Sequence, residues 1–359
     1  MIRRVGVAAL AVPLLLTACS GGGGTNRTDA LEVLADDYLV PAYGDLATAT
    51  AELQTAVAAL CAAPTDAALT TARDELAGAR GTWKRTEATR IGPDMERRSA
   101  EKIDWPIDAT RIDELLDSST PPALTADVIG TQMSSALRGF GALEHVLHAP
   151  DALTAIEAPR TCEYVVSVAT VAATEAAAVA DAWTKPVGDE PSFRDSLVGA
   201  DDSKTADMAL DDLVNESLNL TERMTDLELR VVRGDGPDAP PPDPIDTDLL
   251  LSIHEGPAGL GITDALDRIA GLRTVYVDGL GPLLGKDLLA RVSGELDAAT
   301  AAFEALGDTT LRDAATLQTA QVRLAFDAIK DLQTTIATEV VAKLGVTVGF
   351  SDSDGDSAG

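Results

Sequence analysis

"RGFGALEHVLHAP", residues 138–150, is the stretch on which the reading of the fold turns. Its apolar residues do not alternate as a half-buried strand requires. With Leu137 just ahead of them, Phe140, Leu143 and Leu147 recur at intervals of three and four, which gathers them on one face of an α-helix. Ala149-Pro150 stops that helix. The stretch also holds Glu144, His145 and His148. At about 100° per residue, Glu144 falls at the edge of the apolar side, His148 follows one turn later, and His145 points nearly opposite, towards solvent. Glu144 and His148, spaced i and i+4, are within reach of each other.

The same periodicity runs through the chain. Aromatic residues make up 3% of it, and no run of alternating β-branched residues competes with the helical pattern. Helices are predicted at roughly 28–62, 66–90, 124–148, 159–185, 203–232, 262–278, 284–306 and 309–344. Thr65-Asp66 is a helix start, Gly92-Pro93 a stop, and Pro41 is expected to kink the first helix. The stretch 234–248 is Pro- and Asp-rich and reads as a loop. Four helices followed by four more predict an all-α protein of two packed up-down bundles related by a pseudo-repeat, spanning 28–188 and 189–350. In such a bundle the first helix ends at the pole where the fourth begins. Cys61 and Cys162 lie there, and two cysteines in an exported chain usually pair.

Export is written in the first residues. Arg3 and Arg4 precede an apolar run too short to span a bilayer as a stable helix, so 1–18 reads as a signal peptide. Leu16-Thr17-Ala18-Cys19 resembles a bacterial lipobox, in which Cys19 is the lipidated first residue of the mature protein. Residues 19–27 then form a flexible tether. Ser20 after the cysteine is similar to sorting signals for the outer membrane, facing the periplasm. No later segment is expected to cross a membrane. The net charge of −30 excludes a nucleic-acid partner, since phosphate binding needs clustered Lys and Arg. Residues 351–359 form an acidic tail. "DSDGD" within it mimics the start of a calcium loop but lacks the downstream Glu.

Three stretches together resemble the imelysin family of exported bacterial proteins. In "ARGTWKRTEATRIGPDMERRSAEKIDWPID" (79–108), Trp83, Arg90-Ile91-Gly92-Pro93 and Asp104-Trp105-Pro106 look like the family's second-helix signature. Gly139-Phe140-Gly141-Ala142-Leu143-Glu144 is similar to its Gly-x-His-x-x-Glu motif, and "LGVTVGFSDSDGD" (344–356) to its C-terminal close. The resemblance implies a two-domain helical fold, a family first described as peptidases, and a link to periplasmic iron uptake. This chain departs from the motif at one point: Gly141 stands where the family has histidine.

That departure bears on chemistry. A histidine at 141 would give the inverted zinc-peptidase order H-x-x-E-H, with two ligands one turn apart and a glutamate as base. Here one ligand is missing, and His148 lies about 10 Å further along the helix axis. Catalytic zinc needs three protein ligands, so the sequence argues against catalysis. The reading is a binding protein linked to metal acquisition, carrying a non-catalytic site. Glu144, His148 and His254 are the candidate ligands for a divalent metal, iron or zinc; Trp83, Glu87, Arg90 and Asp104 are candidate ligand-binding residues. Envelope metal-uptake proteins are the expected partners. The alternatives are a metallopeptidase, or a helical scaffold in which Glu144 pairs with a buried Arg or hydroxyl and His148 caps a helix end. Glu87 and Arg90 are expected to pair, and Asp104 to fix a turn.

Overall fold

Thr65 shows how local chemistry sets the element boundaries. Its side chain accepts the Ala68 N–H at 3.2 Å, satisfying one of the amides a helix start leaves orphaned. Helix α3 (Asp66–Thr86) begins there. Before it lie α1 (Arg27–Leu34), capped by Asn26, and α2 (Val40–Ala62). They join through one wide π-turn, Ala35–Leu39. Pro41, which has no N–H to return to the preceding turn, sits in the first turn of α2 directly after this widening.

The structure is a computed structural model and describes residues 26–186, 188, 191–198, 203–225 and 255–349. The expected leader, Cys19, most of the tether, the loop at 234–248, His254 and the acidic tail lie outside them. Beyond α3 come α4 (Ala109–Asp117), α5 (Phe140–Leu147) and α6 (Pro159–Thr184). The second half contributes α7 (Ser203–Glu222), α8 (Gly261–Arg273), α9 (Lys286–Glu304) and α10 (Thr319–Thr335). No strand occurs among the described residues, and the fold is all-α.

In the first half α2 packs along both α3 and α6. Cys61, at the end of α2, is bonded to Cys162 near the start of α6, with their Cα atoms 5.6 Å apart. In the second half α9 pairs with α10, and α8 packs against α9. The two halves meet where α3 crosses α8. A Cβ on Gly271 would stand 2.2 Å from the Arg85 carbonyl oxygen, so the helices approach backbone to backbone. The buried apolar side chains form one cluster from Leu31 to Val346, continuous across this junction. Helix α1 packs partly on the second half, with Leu34 against Gly279.

The structure departs from the sequence reading in three places. The helix expected over 124–148 is broken into a π-turn (Val128–Gln132), a 3-10 turn (Ser135–Leu137) and α5. Arg138 explains how the break is tolerated. Its guanidinium donates to the carbonyls of Glu101, Ile129, Gly130 and Met133 at 2.7–3.3 Å, replacing partners a continuous helix would supply. The helix expected over 309–344 is interrupted at Gln318. And α6, contrary to the expectation that no later segment is apolar enough, has the length and composition to cross a membrane. Tyr164, Val165, Val168, Ala172 and Val179 are instead buried inside the protein.

The disulfide closes a loop of 101 residues. On the chain-entropy argument this stabilises the fold by up to about 4–5 kcal/mol. Cys61→Ser is expected to lower the thermal midpoint by several degrees; an unchanged midpoint on reduction would show that the loop entropy is offset elsewhere.

Candidate functional site

Helix α3 carries charges on a face that should be apolar. Leu76, Ala79 and Trp83 are buried, and so are Arg80 and Lys84 between and beside them and Glu87 one turn on. A buried charge is tolerated only when paired and hydrogen-bonded. The partners come from three other segments. From α8, Asp264 takes Arg80 in a two-pronged grip, with Nε–Oδ2 at 2.9 Å and Nη2–Oδ2 at 2.7 Å. From α5, Glu144 Oε2 accepts Arg80 Nη1 at 2.7 Å. From the loop after Asp94, Asp104 Oδ2 accepts Lys84 Nζ at 2.5 Å. Glu87 lies between Lys84, at 3.3 Å, and Arg268 of α8, at 2.6 Å.

Glu144 is held on its other side too. The Ala258 N–H donates to Oε1 at 2.8 Å. For the backbone to reach the carboxylate, position 256 must be glycine. Its φ is +70°, and a Cβ there would stand 2.5 Å from Oε1. Thus Arg80 ties the first half to the second through Glu144 and Asp264, and the 255–258 segment closes over the joint.

Arg90 is the exception in this network. Its guanidinium lies over the Trp83 ring, 5.6 Å from the centroid. Its nearest carboxylate oxygen, Asp94 Oδ1, is 3.7 Å from Nε, and Nε makes no hydrogen bond. Asp94 is fully buried and neither of its oxygens accepts a hydrogen bond among the described residues. Arg90 borders a cavity of about 170 Å³ that Trp105, Pro106 and Ile107 also line.

The electrostatics follow from burial and neighbours. Burial pushes the Glu144 carboxyl up, outweighing the pull of Arg80. Burial opposes ionisation of Glu87 and Asp104 as well, but Arg268 and Lys84 hold Glu87 well below the usual range, and Lys84 and Arg80 lower Asp104. Asp94 has only the distant Arg90 to offset its burial and is raised to about 6.

The residues singled out from the sequence are partly brought together. Trp83, Glu87, Arg90, Asp104 and Glu144 surround or support one cavity. Glu87 pairs with Lys84 and Arg268, while Arg90 turns to Asp94. Asp104 is the counter-ion of Lys84. His148 caps the end of α5, its backbone N–H donating to the Glu144 carbonyl at 2.9 Å. Its imidazole is lowered by burial and by Arg73, whose Nε donates to the Leu147 carbonyl at 2.8 Å. Arg73 therefore supplies the cation at this helix end. His145 pairs with Asp113 at 2.8 Å. Sequence reasoning missed Arg80, Lys84, Asp264, Arg268 and Gly256. Charges at 80, 84 and 87 among the apolar residues of α3 were the available signal.

Of the three metal ligands expected from the sequence, His254 lies outside the described residues. Glu144 is ion-paired with Arg80, and among the described residues no three His, Cys, Asp or Glu side chains converge as they would round a metal ion. At position 141, which lines the cavity, a Cβ would lie 3.1 Å from Ile107 Cγ2 and 3.9 Å from the Trp105 carbonyl oxygen, so a side chain there needs Ile107 to give by a few tenths of an ångström.

The imelysin family model matches residues 39–338. The chain belongs to the imelysin family. It is 26% identical over 208 residues to Iron-regulated protein A of Synechococcus elongatus, a match covering 57% of this chain. It spans about half, 54%, of the length of that curated relative. Among solved structures, an imelysin-like protein from Psychrobacter arcticum superposes with a TM-score of 0.69 at 22% identity. A protein described as an iron-regulated protein A precursor, from Parabacteroides distasonis, does so with 0.75 at 19% identity. Each alignment covers 90% of this chain and 97% of the other, and establishes the shared fold.

Two substitutions test the site. Gly141→His is expected to cost about 1–3 kcal/mol by overpacking against Ile107, with the loss recovered in Gly141→His/Ile107→Ala; equal stability of the single variant and wild type in urea unfolding would contradict the contact. Asp94 binds a proton more tightly folded than unfolded, so its contribution is full below about pH 4 and is lost as pH rises through about 6. Asp94→Asn should therefore gain stability relative to wild type between pH 4 and 7, by up to about 3 kcal/mol, read from paired denaturation curves at each pH.

Proposed function

We propose that this imelysin is a binding protein of the bacterial envelope, tied to iron acquisition and without catalysis of its own. What supports the absence of catalysis is the state of Glu144. A peptidase base must be free to take a proton from a water held by a metal. Glu144 is gripped by Arg80 through one oxygen and by the Ala258 N–H through the other. A side chain at 141 would press against Ile107.

The tie to iron rests on the family and on the names of the relatives, which are described as iron-regulated. Anchorage through a lipid on Cys19 would hold the protein at the outer membrane facing the periplasm, beside envelope metal-uptake proteins as partners.

Uptake of radiolabelled iron in cells lacking the protein tests this reading. Uptake under iron limitation is expected to fall and to be restored by wild type but not by Cys19→Ser, which should leave the membrane fraction. Unchanged uptake in the deletion strain would sink the iron link. Chelator-sensitive cleavage of an unfolded protein substrate, lost in Glu144→Ala, would replace the binding reading with the metallopeptidase.

A further inference from the structure

The cavity at the junction of the two halves is built from side chains that suit a ligand of one sign. Four cations line it, Arg80, Lys84, Arg90 and Arg268, against three carboxylates, Glu87, Asp104 and Glu144. All three carboxylates are engaged. Glu144 has Arg80 and the Ala258 N–H, Asp104 has Lys84, and Glu87 has Lys84 and Arg268. A bare cation entering here would have to displace a buried guanidinium or ammonium from each carboxylate it approached. That leaves the displaced charge unpaired in a dry site, at a cost of several kcal/mol.

The donors are placed differently. Arg90 borders the cavity with only a long ion pair, to Asp94. Nε is buried without a hydrogen bond, and the nearest carboxylate oxygen is 3.7 Å away. The guanidinium lies over the Trp83 ring, and Arg is the side chain whose fork matches a carboxylate or phosphate in a two-pronged contact. Behind Arg90, Asp94 lies too far to hydrogen-bond it. Trp105, Pro106 and Ile107 also line the cavity and contribute no charge. At about 170 Å³ the space exceeds what a single water requires.

We propose that this cavity takes a small oxyanion, a carboxylate or phosphate group either free or as part of a metal chelate, with Arg90 as its principal donor. The inference rests on the binding reading above and names the chemistry of what is bound. Iron would then arrive as an anionic complex rather than as a naked ion.

Titration calorimetry on the full-length protein tests it with four probes: citrate, inorganic phosphate, ferric citrate and ferrous iron alone. Citrate or phosphate is expected to bind, and ferric citrate to bind more tightly than citrate only if the metal contributes contacts. Arg90→Gln should weaken the bound anion at least tenfold, with partial retention in Arg90→Lys. Pro106 is exposed, lines the cavity and makes no ion pair, so a charge placed there changes the local potential without removing a member of the network. Pro106→Lys should tighten citrate and Pro106→Asp should weaken it, both more strongly at low salt. Ferrous iron binding without either anion, or Pro106 effects of opposite sign, would overturn the oxyanion and leave the binding reading standing. Binding of none of the four probes would overturn it too, and iron uptake in the deletion strain would then decide the wider reading separately.

Discussion

Everything near the site depends on one guanidinium. Arg80 lies almost wholly inside the protein and holds a carboxylate from each half, Glu144 on α5 and Asp264 on α8. Without those partners its burial would be prohibitive; without Arg80 two carboxylates would repel each other in a dry interior. The requirement is mutual, and it fixes the register of α3 against both neighbours. Gly256 and Gly271 are further consequences, since backbone must come within touching distance of Glu144 and of α3 for the joint to close. The site is therefore also the seam of the fold, and substitutions there act on assembly and ligand together.

Charge organisation at the seam differs from that of the surface. The chain as a whole carries a net charge of −30, yet the cavity wall is a mixed lattice in which cations and carboxylates alternate in contact. Such a lattice is stiff because Arg80, Lys84 and Glu87 each hold two charged partners. The pair left outside it, Arg90 and Asp94, is the part able to respond to a ligand or to pH.

Helical class, most helix positions and the closeness of Cys61 to Cys162 were legible in the sequence, because apolar spacing and capping residues act locally. Thr65 and Pro41 did what their side chains dictate. The break before α5 was not legible, because it depends on Arg138 reaching carbonyls from two separate segments. The site was half legible. The motif glutamate stood out, whereas Arg80, Lys84 and Arg268 looked like ordinary helix-surface cations until α8 covered them. A long-range partner such as Asp264, distant in the chain, leaves no periodic trace.

Ile107 against Gly141 has a consequence for the size of what the cavity admits. Both residues line it, and a Cβ at 141 would stand 3.1 Å from Ile107 Cγ2. The two positions therefore share one volume. Any side chain added at 141 draws on the same space as Ile107 and as a bound ligand, so changes at either position are coupled to each other and to what can enter.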